Sequence, residues 1–111
     1  MDKLDKYRQI IQELMSEYSS YQSQNSDIEQ ELIGDTQHDR YLLLNLGWDN
    51  GHRIYNCFIH IELRNEKIWI QRNMTDVDFA EELVEMGVEK TDIVLGFHSP
   101  FKRQFTEYAV S

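Results

Sequence analysis

The sequence predicts a single α+β domain: an N-terminal helix, a four-stranded antiparallel meander sheet, a second helix, and an extended C-terminal segment packing back on the domain. Three observations predict it. Apolar residues step by three and four as far as Tyr21, the period drops to two from Ile28, and it returns to the helical one near Thr75. At 111 residues there is room for one core and not two, so residues 1–111 form one domain.

In residues 3–21, Leu4, Tyr7, Ile11, Leu14, Tyr18 and Tyr21 form one stripe. Ile10 and Met15 widen it, and Gln9, Glu13 and Glu17 point away. The stripe is expected to pack on the domain's own sheet. Its spacing leaves a homodimer seam open but covers too few heptads for a coiled coil. The run SSYQSQNS then ends the helix with turn formers.

Four segments follow with strand character: IEQELI, RYLLLNLGW, RIYNCFIHIEL and KIWIQR, each rich in β-branched, aromatic or leucine residues. Their separators are turn chemistry: GDTQHD, the Asn50-Gly51 hairpin signal, and the polar bend LRNEK. Short links between successive strands predict an antiparallel meander. Strict alternation puts Tyr55, Cys57, Ile59, Ile61 and Leu63 on the core face, together with Leu42, Leu44, Leu46 and Trp48, beneath the first helix. The second face would carry Tyr41, Leu43, Phe58, His60 and Trp69 among Asn45, Asn56, Glu62 and Gln71. That is too apolar for a solvated face, so a cover is expected.

Residues 76–86 are expected to form the second helix, with Thr75 as N-cap, Asp76 and Asp78 at the positive end of the dipole, and Gly87 just past the C-cap. The segment EKTDIVLGF leads into an extended apolar stretch. Ser99-Pro100 caps and begins one helical turn through Gln104. Phe97, Phe101 and Phe105 are expected to turn inward as the sheet's cover, leaving His98, Lys102 and Arg103 exposed.

Composition narrows the function. The formal net charge of −9, from eleven basic and twenty acidic residues, argues against strong direct DNA binding, which depends on lysines and arginines neutralising phosphates. No apolar run reaches the roughly 20 residues that span a bilayer, so no membrane is expected as partner. The charged opening MDKLDKYRQ and the single Cys57, set among apolar neighbours, point to a cytoplasmic protein without disulfides.

Signatures of catalysis are incomplete. His60-Ile61-Glu62 matches the H-x-E of zinc deaminases, but a P-C-x-x-C partner is missing. Asp35, His38 and Asp39 are ordinary turn residues. His98-Ser99 has no nucleophile elbow and no orienting acid. The chain is therefore read as non-enzymatic, with no catalytic, cofactor or metal residues. What remains is an interaction surface: Trp48 and Arg53 beside the Asn-Gly hairpin, and His98, Pro100, Lys102 and Arg103 in the tail. Tryptophan and arginine are among the residue types that dominate interface hot spots.

The stretches MDKLDKYRQIIQELMSEY, LLNLGWDNGHRIYNCFIHIEL, KIWIQRN and ELVEMGVEKTDIVLGFHSPFKRQFTEYAV resemble the XisI proteins of cyanobacteria. The similarity covers essentially the whole chain in order, and G-F-H-S-P-F-K-R is its most specific part. The resemblance implies an fdxN-element excision controlling factor that accompanies a site-specific recombinase in heterocyst development. It also implies a partner, the XisH-like protein, with a restriction-endonuclease-like fold. The family has no assigned catalytic residue to carry over. From another class, the alternative is an antitoxin-like inhibitor whose acidic surface masks a nuclease-fold partner's groove.

Overall fold

The computed structural model describes residues 2–19 and 27–111. Tyr21 and most of the SSYQSQNS turn lie outside the described residues. Helix α1 (Lys3–Ser19) starts where the Asp2 carboxylate accepts the Asp5 amide at 2.9 Å. Its expected stripe is buried: Tyr7, Ile10, Ile11, Leu14 and Met15 leave the solvent almost completely. Each such side chain contributes about 1.5–3 kcal/mol by its removal from water.

The meander is present as β1 (Ile28–Asp35), β2 (Arg40–Asp49), β3 (His52–Arg64) and β4 (Lys67–Asn73). Asn50 and Gly51 both have positive φ, 50° and 79°, as a type I′ hairpin turn requires. The β3–β4 turn takes the same left-handed shape at Asn65 and Glu66, without any glycine.

A fifth strand extends the meander. β5 (Ile93–Leu95) pairs parallel with β4, so the sheet is five-stranded and mixed, in the order β1-β2-β3-β4-β5. Three residues are too few for a period to show. Pairing with Ile68, Trp69 and Ile70 recruits them. The α+β class is unchanged.

The connection to β5 is helix α2 (Phe79–Glu85) followed by a 3-10 turn at Lys90–Asp92. α2 begins three residues later than the sequence suggests. Its N-cap is Asp78, whose carboxylate accepts the Glu81 amide, and not Thr75. Thr75 is held instead by Asn73, whose side-chain oxygen accepts from both the Thr75 amide and its hydroxyl. Gly87, at φ +109°, follows the C-cap as expected. The Val88 amide reaches back to Leu83 O and the Gly87 amide to Val84 O, the pattern of a Schellman motif.

The sheet faces differ from strict alternation. Tyr41 and Leu43 are core residues, not Leu42 and Leu44. Leu43 pairs with Ile59 but Leu44 pairs with Cys57, which leaves Phe58 as the extra residue of a β-bulge. The bulge reverses the phase of β3. Ile59, Ile61 and Leu63 face the helices, while Cys57 and Tyr55 face the other way with Leu44, Leu46 and Trp48. One core results, between the sheet's helix side and α1 and α2. The Tyr18 ring meets Phe79 edge-on at 4.8 Å where the helices join.

Two polar ties fix α1 on this core. The Tyr7 hydroxyl donates to Asp92 at 2.6 Å, with Lys3 2.8 Å from the same carboxylate oxygen. Arg8 grips Asp39 with two nitrogens, at 2.7 and 3.1 Å.

Candidate interaction surface

The sheet side opposite the helices, its open side, is covered unequally. The tail lies over β5 and over Trp69 of β4, and leaves Arg72 near the other end of β4 exposed. Val94 is fully buried yet outside the core beneath the helices, so the tail is what covers it. Ala109 makes a parallel bridge to Val94, and its amide donates to Ile93 O at 2.8 Å. Lys90 and Glu107 add an exposed ion pair at 2.7 Å.

Within the tail, α3 (Pro100–Arg103) is the expected single turn. Ser99 Oγ accepts the Lys102 amide at 3.3 Å, and Pro100 occupies the first turn. The side chains, however, are inverted relative to expectation. Arg103 is the anchor: its guanidinium lies 5.2 Å from the Trp69 ring and donates to the carbonyls of Leu95, Gly96 and Val110. Phe97, Phe101 and Phe105 face solvent, Phe105 at 75% exposure. Phe101 and Phe105 do share one side, with rings 5.3 Å apart. The physical reason is that Trp69 already fills the surface beneath and offers a π-face. A guanidinium satisfies that face and the nearby carbonyls together, which a phenyl ring cannot.

Of the expected partner-binding residues, Pro100 and Lys102 are exposed and His98 is half-buried, its ring 4.5 Å from Phe97. Arg103 is structural. Trp48 and Arg53 sit together at the β2–β3 hairpin tip, the guanidinium 5.6 Å from the ring. Trp48 is 53% exposed and neighbouring Tyr55 67%. The structure thus forms two groups, a tail ridge and a hairpin tip, on the same side of the sheet.

Between them runs a surface that sequence reasoning placed in the core. Leu42, Leu44 and Leu46 line the open side of β2, half-buried, with Ile33 exposed beside them on β1. Charges flank this row. Glu29 and Glu31 stand on β1 beside Leu46 and Leu44. On the opposite flank are Arg53, Arg64 and Arg72 of β3 and β4, and Arg40 closes the end of the leucine row. With Arg103, five of the chain's six arginines lie on this side. Net charge hides this segregation. Strand pairing could have revealed it, had the bulge been legible.

Several of the remaining polar groups satisfy one another. Glu62, almost buried, accepts from Arg64 at 2.8 Å and lies 2.8 Å from His60. Asp35 is 2.7 Å from His38, and that hydrogen bond leads the causes that hold its carboxyl below the usual range. Burial pushes the Cys57 thiol up, away from the thiolate form that reacts. Ser99 is occupied as a cap. Among the described residues, no group of three or more His, Cys, Asp or Glu is placed to hold a metal ion. The arrangement suits contact through rings, leucines and guanidinium groups.

Residues 1–110 match the family model described as XisI protein. Two crystal structures share the fold. A XisI-like protein from Anabaena variabilis ATCC 29413 is 45% identical with a TM-score of 0.92, over 97% of this chain and 99% of that one. The fdxN element excision controlling factor XisI from Anabaena variabilis ATCC 29413 is 39% identical with a TM-score of 0.88, over 99% of this chain and 100% of that one. No curated protein matches the chain.

Proposed function

Because the chain belongs to the XisI family, we propose that it is a non-enzymatic controlling factor for excision of a DNA element, acting through an XisH-like protein and a site-specific recombinase. The compartment in this reading is the cytoplasm, and no cofactor is used. The observation that carries the partner reading is the tail ridge. Three exposed phenylalanines beside Lys102 are held on a segment that Arg103 pins from below. Monomeric surfaces rarely collect exposed rings without a partner to bury them.

Co-expression with the XisH-like protein tests this reading. The wild-type chain should retain the partner through affinity purification. Phe101→Ala with Lys102→Glu should lose it while melting like wild type. Retention equal to wild type would overturn the assignment of the tail. The antitoxin-like alternative draws support from the acidic, solvent-facing Glu81 and Glu85 of α2. It requires that adding this chain suppress nuclease activity of the partner.

A further inference from the structure

We propose that the open side of the sheet is a homodimer interface, in which two copies pack face to face about a two-fold axis running along the strands between β2 and β3. This does not rest on the partner reading above, which concerns the tail ridge.

The argument is the pattern of charge across the strands. The open side is acidic along β1 (Glu29, Glu31), apolar along β2 (Leu42, Leu44, Leu46) and arginine-bearing along β3 and β4 (Arg53, Arg72). None of Arg40, Arg53 and Arg72 has a carboxylate partner among the described residues. A surface that runs from acid through apolar to base is complementary to a copy of itself only when the order of strands is reversed. A two-fold axis along the strands does this, setting β1 over the partner copy's β4 and β2 over its β3. A two-fold axis in the same plane but across the strands would set acid on acid and arginine on arginine. Like charges brought together in this way oppose association.

The register supplies the pairing. Arg72 lies in the row of His60, Leu42 and Ile33, next to the row of Cys57, Leu44 and Glu31. In the face-to-face arrangement Arg72 of one copy therefore stands within a side chain's reach of Glu31 of the other, and the leucines meet Tyr55 and Cys57. Face-packed sheets sit about 10 Å apart, the distance two layers of such side chains fill. Size agrees as well. The uncovered part, β1 to β3 with the Arg72 end of β4, is three to four strands about 4.8 Å apart with rows about 30 Å long, roughly 500 Å² in projection. A stable interface buries about 800 Å² of accessible surface on each partner.

Isologous symmetry gives the test, because each Glu31–Arg72 contact occurs twice. Sedimentation velocity of the full chain at micromolar concentration should show a dimer. Glu31→Arg and Arg72→Glu, both at exposed positions, should each raise the dimer dissociation constant by about tenfold or more. The double variant, with the charges exchanged, should recover the wild-type value. Circular dichroism melts should be unchanged in all three, which separates dissociation from unfolding. A chain that is monomeric throughout would overturn the proposal. So would a dimer that both single variants leave intact, since it would use another surface. If the wild type is monomeric and Arg72→Glu instead abolishes capture of the XisH-like protein or of single-stranded DNA, the face belongs to that ligand and the proposal fails.

Discussion

At Gly47 the backbone has φ +152°, and a Cβ built there would run into the carbonyl oxygen and carbon of Asp27. The same carbonyl accepts the Trp48 amide at 3.1 Å. Neither strand can move aside without breaking that bond, so Gly47→Ala should cost about 3 kcal/mol or more, measured by urea unfolding. Asp92 makes a prediction in pH. Burial raises its pKa, but the hydrogen bonds from Lys3 and Tyr7 outweigh that, and the net shift is downward. A lowered carboxyl contributes stability that is present above the unfolded carboxylate range and lost as pH falls through the folded value. Thermal stability should therefore drop in acid, and Asp92→Asn should be less stable at neutral pH by about 1–3 kcal/mol with a flatter acid limb. These two residues also mark what the sequence reveals at this scale. Asn50-Gly51 announces its turn because both residues tolerate positive φ. Gly47 sits inside a leucine strand, where only the neighbouring chain makes a glycine necessary.

Among the elements, α1 and the tail contrast in what holds them. Leu14→Ala should cost about 2–5 kcal/mol, since that side chain is fully enclosed. Phe101→Ala should shift stability by less than about 1 kcal/mol, because its ring is already in water. Arg103→Ala should exceed Phe101→Ala, as it strips three carbonyls and the Trp69 ring of their shared partner. Parallel chemical melts of the three variants check the order. Element identity was legible because the hydrophobic period changes sharply at Ile28 and Thr75. Strand phase was not. Leu42, Leu43, Leu44 and Leu46 are equally apolar, so nothing in β2 itself says which set faces inward. The answer comes from the bulge at Phe58, a feature of pairing between strands. The inverted tail has a similar origin: phenylalanine is the obvious cover by hydrophobicity, but the site beneath is a tryptophan face rimmed with carbonyls.

For the whole molecule, net charge and charge placement point in different directions. The −9 total arises while five of six arginines occupy one side of the sheet. Two of the five are already committed, Arg64 to Glu62 and Arg103 to backbone carbonyls. Three remain for phosphates, and in a face-to-face dimer they are covered. Affinity for duplex DNA at physiological salt should accordingly be weaker than micromolar, as read from a fluorescence anisotropy titration. A tighter value would set aside the view that this chain controls excision through proteins.

The contact between Tyr7 and Asp92 joins residues 85 positions apart. Closing a loop of that length costs about 4 kcal/mol of chain entropy, whereas each hairpin of the meander closes over a handful of residues. The meander therefore has a head start in folding. β5 and the tail come later, because the parallel pairing of β5 with β4 spans 25 residues (Ile68 to Ile93) and the Lys3–Tyr7–Asp92 lock closes only with the long loop. The order of opening is the reverse. The segment bearing the phenylalanine ridge belongs to the unit that detaches most readily, while the leucine face stays built on strands that remain paired. The two surfaces would then differ in lifetime as well as in chemistry, one lasting as long as the domain and the other open to brief release.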